Sequence, residues 1–265
     1  MINTIVVPLD GSDLSHAALP IANELAAALD SSIVLLASGW GSTVEELQNY
    51  LKDKGTELSV PFDTSVVPDT FPATAIAAEV KNTEDAIVMA THGRTGFGKA
   101  LLGSVSEDVL KRSDHPVLLV GPGAKSFTSF ANNTMVVTTD GSPISAMILP
   151  RAARWAKALS MNIVVLSATA AGGSPLGGTD PDALANAVES AVAFFTREGI
   201  DVRSETVIGA DAADAVSTWA NDNNAALVAM TTHGRGGLAR TALGSTTMRT
   251  VHNCHCPVLV QKPVG

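Results

Sequence analysis

The sequence predicts two tandem, doubly wound α/β domains, each built on a five-stranded parallel sheet. Two observations support this prediction. Short apolar runs alternate with longer segments of helical periodicity along the whole chain. The motifs of the first half also return in the second half, which indicates a duplicated domain. Apolar runs without a polar face are typical of parallel strands that are buried under helices.

The repeat is visible in pairs of matching motifs. IVVPLDGS from residue 5 matches MVVTTDGS from residue 135, and SIVLLAS matches NIVVLSA, both at an offset of 130. The glycine loops MATHGRTGFGKALLGS and MTTHGRGGLARTALGS match at an offset of 141, as do HPVLLV and CPVLVQ. The second copy therefore has an insertion, and part of it is expected in the Gly- and Pro-rich segment 170–182.

Each element of the first copy follows from its local pattern. The predicted strands are 4–9, 33–37, 65–67, 86–90 and 117–120, and the predicted helices are 17–29, 44–54, 73–81 and 105–112. We expect domains at 1–123 and 134–265, joined by a linker at 124–133. Ligands of such sheets bind beyond the carboxyl ends of the strands.

Composition excludes several function classes. The formal net charge is -9 and no long basic run occurs, so nucleic acid and anionic membranes are not expected partners. No leader pattern or membrane-spanning apolar run is visible. Only two cysteines are present, which favours a reducing, cytoplasmic location over a disulfide framework.

The glycine loops have the chemistry of a phosphate site. In the first copy Gly93 and Gly103-Ser104 follow a predicted strand and lead into a helix, with Arg94 supplying positive charge. Glycines and a helix N-terminus bring backbone N–H groups close to an anion, and Ser104 could bind phosphate or cap the helix. The matching residues of the second copy are Gly234, Arg235, Gly244 and Ser245. A purely structural turn is the alternative, but retention in both copies favours a functional role.

The end of the first strand offers a carboxylate in each copy. Asp10 and Asp140 each precede Gly-Ser. A carboxylate there can accept hydrogen bonds from a ribose or cap the following helix, and the sequence leaves both roles open.

Together these motifs resemble the universal stress protein family in its tandem-domain, ATP-binding form. The resemblance rests on V-V-x-x-D-G-S, on the T-H-G-R loop that leads to G-S, and on the closing P-V-L-[LV]-V, each present twice. It implies an adenine nucleotide alpha hydrolase-like fold. The family pattern of Gly, two residues, Gly, nine residues, Gly and Ser maps onto Ala90, Gly93, Gly103 and Ser104, and onto Thr231, Gly234, Gly244 and Ser245. Both copies therefore lack the first glycine.

The resemblance also implies a role for each site residue. Asp10 and Asp140 would reach the ribose, Pro8 and Thr138 would lie near the adenosine, and the backbone of Ser38 and Ala168 would meet the adenine. The phosphates, with Mg²⁺ on them, would meet Ser104, Val105, Ser245 and Thr246. The last strands of the two copies would pair within the chain, giving a pseudo-two-fold arrangement, and a further homodimer is left open.

We therefore expect a cytoplasmic ATP-binding stress or signalling protein whose nucleotide occupancy modulates its conformation or an unknown protein partner. The alternatives are a slow ATPase or phosphotransferase and a stress interaction module that binds no nucleotide. No residue is assigned to catalysis, because His92 and His233 lack an accompanying nucleophile motif. No residue is assigned to a metal either, because the spacing in HNCHC (252–256) fits no zinc pattern.

Overall fold

The structure is a computed structural model that describes residues 2–39, 41–82, 85–91, 103–126, 129–130, 134–176, 178–232 and 244–263. The chain divides into two compact units, Met1–Val120 and Gly121–Gly265. The described residues contain ten β-strands and nine α-helices. None of these helices is long and apolar enough to cross a membrane.

Unit 1 is a five-stranded parallel sheet with the order β3-β2-β1-β4-β5. Its strands are β1 (Thr4–Pro8), β2 (Ser32–Gly39), β3 (Phe62–Pro68), β4 (Ala86–Ala90) and β5 (Val117–Val120). Its helices are α1 (Asp13–His16), α2 (Ala18–Leu29), α3 (Val44–Gly55), α4 (Pro72–Glu79) and α5 (Ser104–Arg112).

The strand order places a topological switch point in unit 1. From β1 the chain moves to β2 and then β3 on one side, and it returns to β4 on the other side. The connections that leave β1 and β4 therefore diverge, and a crevice opens between the carboxyl ends of these two strands.

Unit 2 repeats this sheet with the order β8-β7-β6-β9-β10, and its pairs are also parallel. Its strands are β6 (Thr134–Thr138), β7 (Asn162–Thr169), β8 (Val202–Ile208), β9 (Leu227–Thr231) and β10 (Val258–Gln261). Its helices are α6 (Leu149–Ala158), α7 (Pro181–Arg197), α8 (Ala212–Asp222) and α9 (Ser245–Asn253).

The cores form because the central strands are apolar on both faces. The middle three residues of β1 and of β6 are almost completely buried, and every residue of β5 and β10 is buried. Helices cover both faces of such sheets, so an alternation of apolar and polar residues is not required. The prediction of two α/β domains with five parallel strands each is confirmed.

The edge strand β3 is longer than predicted. It covers Phe62–Pro68, whereas its sequence favoured a strand only at 65–67. Its residues are half-buried or exposed, because an edge strand is covered less completely than a central one. The apolar run that predicts the strand is therefore shorter than the hydrogen-bonded strand itself.

The first predicted helix, 17–29, is observed as α2, and α1, which the sequence did not predict, precedes it. Ser12 is the N-cap of α1, where its side chain accepts a hydrogen bond from the Ser15 N–H. The chain then continues through Ala17 into α2. The Asp-Gly-Ser motif after β1 therefore starts a short helix at the sheet edge.

Candidate functional site

A cavity of about 630 Å³ opens at the carboxyl ends of the strands in unit 1. This volume lies in the range of small-molecule sites. It is located at the switch point between β1 and β4. Seven residues that the sequence assigned to a ligand line this cavity: Pro8, Asp10, Ser38, Ala90, Gly103, Ser104 and Val105.

Backbone polar groups face this cavity from the end of β2. The Leu9 N–H donates to the Leu36 C=O at 2.8 Å, so Leu36 directs its backbone groups towards β1. Alternate residues of a strand point their N–H and C=O groups in the same direction. Ser38, two residues further on, therefore directs both groups beyond the end of β1 and into the cavity.

Apolar side chains form much of the remaining wall. Leu47 comes from α3, Pro72 and Ile76 come from α4, and Met89 comes from β4. Apolar walls with a few convergent polar groups are typical of sites for small organic ligands.

The carboxylate of Asp10 is held in place by the turn that follows β1. Its Oδ1 accepts hydrogen bonds from the Ser12 N–H at 3.0 Å and from the Ser12 hydroxyl at 2.6 Å. Gly11, between them, has a φ of 84°, a conformation that favours glycine. Asp10 therefore orients Ser12, which caps α1, and it does not cap the helix itself.

Tyr50 is a cavity residue that sequence reasoning missed. It lies on α3, lines the cavity, and shares a hydrogen bond of 2.8 Å between its hydroxyl and the Nε2 of His16. Burial raises the pKa of Tyr50, and a hydrogen bond with the Gly11 backbone offsets part of that rise. Tyr50 is the only tyrosine of the chain, but its position on a helix gave no sign that it faces the end of β1.

The N-terminus of α5 forms the opposite side of the cavity. Gly103, not Ser104, is the N-cap, so the N-cap role considered for Ser104 is wrong. The Gly103 N–H donates to the Thr91 C=O at 2.7 Å, and the Ser106 hydroxyl donates to the Ala90 C=O at 3.2 Å. These bonds fix the helix start beside the end of β4, where first-turn N–H groups can receive an anion.

Several residues considered in the sequence analysis lie outside the described residues. They are Gly93, Arg94, Gly234 and Arg235 of the glycine loops, and the two loop histidines His92 and His233.

The matching residues of unit 2 adopt similar local geometry. The Oδ1 of Asp140 accepts from the Ser142 N–H at 3.0 Å and from its hydroxyl at 2.6 Å. Gly244 is the N-cap of α9, and its N–H donates to the Thr232 C=O at 2.8 Å. The other assigned residues occupy the corresponding strand ends and helix start: Thr138 on β6, Ala168 on β7, Thr231 on β9, and Ser245 and Thr246 on α9.

The cysteines at 254 and 256 are buried, with 0% and 3% of their surface exposed. A hydrogen bond with the Cys256 thiol and burial raise the pKa of the Cys254 thiol well above its usual value. Among the described residues, no group of three or more His, Cys, Asp or Glu side chains could hold a metal ion. The two thiols lie buried between the end of α9 and the start of β10.

Comparison with known proteins reveals the same family in both halves of the chain. The model of the universal stress protein family matches residues 38–121 and 131–262. A universal stress protein of Mycobacterium tuberculosis is 26% identical over 189 residues, which cover 69% of this chain and 64% of that protein. One from Methanocaldococcus jannaschii is 36% identical over 105 residues, which cover 34% of this chain and 64% of that protein. The matches thus span less than two thirds of these curated relatives.

The fold also matches a solved structure. A universal stress protein from Archaeoglobus fulgidus superimposes with a TM-score of 0.67 at 21% identity, over 99% of both chains. Because the family model matches most of the sequence in two successive segments, the chain belongs to the universal stress protein family.

Proposed function

We propose that unit 1 binds an adenine nucleotide, ATP in the first place, and that nucleotide occupancy modulates the conformation or the partners of the protein. The observation that carries the proposal is one cavity that combines three kinds of group. It has strand-end backbone groups at Ser38, a carboxylate at Asp10, and a helix N-terminus at Ser104.

The base fits the β2 side of the cavity. Adenine presents a hydrogen-bond donor beside an acceptor, and the backbone of Ser38 presents an acceptor and a donor that point in one direction. The apolar side chains of Ile76 and Met89 supply a wall on which an aromatic base can pack. Asp10, at the neighbouring strand end, is suited to accept hydrogen bonds from ribose hydroxyls.

The phosphates fit the α5 side of the cavity. The first turn of a helix carries partial positive charge and N–H groups without helical partners. Glu107 is the only acidic residue of this first turn, and its carboxylate is paired with Lys111 at 2.7 Å. Any Mg²⁺ that accompanies ATP would be held mainly by phosphate oxygens and water, because Mg²⁺ needs few protein ligands in such sites.

The test is calorimetric titration of the full chain with ATP, with Ser104→Asp as the variant. A carboxylate at this helix start does not disturb the helix, since acidic residues are favoured there, but it repels phosphate. We expect the dissociation constant for ATP to rise by about tenfold or more. Adenosine, which has no phosphate, should be affected much less.

Thr74→Asp is the matched control. Thr74 is exposed in the first turn of α4, and its counterpart in unit 2 is Asp214, so the fold already accepts a carboxylate there. This variant adds the same charge outside the cavity and should bind ATP as the unchanged chain does. The proposal is wrong if the unchanged chain binds no ATP, or if Ser104→Asp and Thr74→Asp bind it equally well.

A further inference from the structure

Ten of the eleven residues inserted in unit 2 lie in one connection. Gly39 pairs with Pro68 at the ends of β2 and β3, and Thr169 pairs with Ile208 at the ends of β7 and β8. Counterparts are therefore 130 residues apart in sequence at the ends of β2 and β7, and 140 apart at the ends of β3 and β8. The buried residues Leu51 on α3 and Ala191 on α7 are already 140 apart. The ten extra residues thus lie between β7 and α7.

This inserted segment, residues 170–180, folds back onto the strand that it leaves. Thr169 and Pro175 form an antiparallel bridge. The Ala170 N–H donates to the Ser174 C=O at 2.7 Å, and the Leu176 N–H donates to the Ala168 C=O at 2.9 Å. The result is a tight hairpin on the carboxyl end of β7.

The hairpin forms a hydrogen bond with the Ala168 C=O, the backbone group that would otherwise meet a base. Ala168 is the counterpart of Ser38, and the Thr139 N–H donates to the Leu166 C=O as Leu9 does to Leu36 in unit 1. Ala168 therefore directs its C=O beyond the end of β6. In unit 1 that direction leads into the cavity, whereas in unit 2 it leads to the amide of Leu176.

The rest of the inserted segment covers the loop after β6. Thr179 is 6% exposed, and its hydroxyl donates to the Asp140 C=O at 2.5 Å. A Cβ added to Gly141 would lie 2.8 Å from the Thr179 methyl carbon and 3.0 Å from the Leu184 Cα. The counterparts of Asp10, Gly11 and Ser38, which line the cavity in unit 1, thus contact residues 176, 179 and 184 in unit 2.

We propose that the inserted segment is an internal occupant of the base site of unit 2, so that the chain binds one adenine nucleotide, in unit 1. The inference rests on the function proposed for unit 1. Unit 2 retains the phosphate side, with Gly244 as the N-cap of α9. On the base side, the Leu176 N–H already occupies the Ala168 C=O that a base would use.

Stoichiometry of ATP binding by the full chain is the first measurement. We expect about one nucleotide per chain. Ser245→Asp in unit 2 should leave affinity and stoichiometry unchanged, while Ser104→Asp should raise the dissociation constant by about tenfold or more. Two nucleotides per chain, or a loss of binding in Ser245→Asp alone, would overturn the proposal.

Hydrogen exchange of the unchanged chain tests separately whether the inserted segment covers the carboxyl end of β7. Peptides from the inserted segment should exchange slowly and respond little to saturating ATP, whereas peptides around Ser38 become protected. Fast exchange at Leu176, or protection by ATP there, would overturn the proposal. If ATP binds nowhere, only the proposed function fails, because slow exchange at Leu176 is expected without nucleotide as well.

Replacing residues 170–183 by a copy of residues 40–43 shortens the connection to that of unit 1. A folded chimera that binds a second nucleotide would support the inserted segment as the cause of closure. A folded chimera that still binds a single nucleotide would overturn that assignment. Slow exchange of the peptides from β6 and β9 in unit 2 establishes that the chimera is folded.

Discussion

The two units agree at the ends of β4 and β9 and differ at the ends of β2 and β7. At the ends of β4 and β9 the same bonds recur. Gly103 donates to Thr91 as Gly244 donates to Thr232, and Thr247 repeats the side-chain bond of Ser106 to the preceding strand. At the ends of β2 and β7, one connection leaves an open cavity and the other folds back as a hairpin. A duplicated fold can therefore keep the same hydrogen bonds at one strand end while an insertion folds over another.

The packing of α3 against β3 in unit 1 also differs from that of α7 against β8 in unit 2, although both contain one aromatic ring. In unit 1 the ring of Phe62 on β3 lies over Gly55 on α3, where an added Cβ would come within 2.0 Å of the ring. In unit 2 the aromatic residue, Phe195, stands at the position of Gly55 on the helix, and Val202 stands opposite on the strand. Each unit thus places one ring between this helix and its edge strand, contributed from opposite sides.

The largest expected effect is the loss of stability when the aromatic ring at this position is removed from either unit. Phe195 is completely buried, whereas Phe62 is half-buried on the edge strand. Phe195→Ala should lower the free energy of unfolding of unit 2 by about 3–5 kcal/mol. Phe62→Ala should lower that of unit 1 by a smaller amount, about 1–3 kcal/mol, because part of the ring is already in water. Hydrogen exchange of the slowest amides in each unit measures both values, and an equal or larger cost at Phe62 would contradict the comparison.

The next effect concerns a pair of residues that only unit 1 carries. Tyr50→Phe removes the hydroxyl that bonds His16 and so releases the Asp10 turn from α3. If unit 1 binds ATP, we expect its affinity to fall by about threefold to tenfold, the equivalent of one hydrogen bond. Titration calorimetry measures this change.

Ser190, the exposed counterpart of Tyr50 on α7, provides the control. Ser190→Ala should leave ATP affinity unchanged. Because the pKa of Tyr50 is raised, its hydroxyl stays protonated at neutral pH, and the ratio of the two affinities should be constant across that range. An equal effect of Tyr50→Phe and Ser190→Ala would show that the hydroxyl does not position the site.

The sequence predicted the buried strands better than the elements at the edges. Strands β4 and β5 have the predicted bounds, because a buried parallel strand reads as an uninterrupted apolar run. In the edge strand β3 the polar residues Asp63 and Thr64 interrupt the apolar pattern after Phe62, so only 65–67 was visible. Its hydrogen bonds with β2 extend it in both directions.

The candidate site was predictable where a motif marks a strand end. Asp10 comes just after β1, and Ser104 starts the helix that follows β4. In parallel sheets such positions meet at one edge. Tyr50 could not be found in this way, because a helical pattern does not indicate which strand end one of its residues faces. The Gly and Pro residues of the inserted segment indicated a flexible loop. Its observed conformation depends on hydrogen bonds to the backbone C=O groups of Ala168 and Asp140, which composition does not encode.

The smallest expected effect compares two exposed carboxylates, one in each unit. Hydrogen bonds from the Thr43 backbone and side chain lower the pKa of Glu46 at the start of α3. A hydrogen bond from Lys157 and its charge lower the pKa of Glu198 after α7. A lowered pKa in the folded chain means that each carboxylate stabilises the fold above its ordinary pKa of 4.5, and that this stabilisation is lost as the pH falls through the lower, folded value.

Glu46→Gln and Glu198→Gln should therefore both be slightly less stable than the unchanged chain at neutral pH, and both differences should vanish in acid. Salt distinguishes the two. The bond of Glu198 is an exposed ion pair, so added salt should screen it, whereas the bonds of Glu46 join neighbouring groups of one helix terminus and depend less on long-range charge. Urea unfolding in low and high salt measures the difference. An identical salt response of the two variants would show that both carboxylates act through charge alone and that the cap of α3 adds nothing specific.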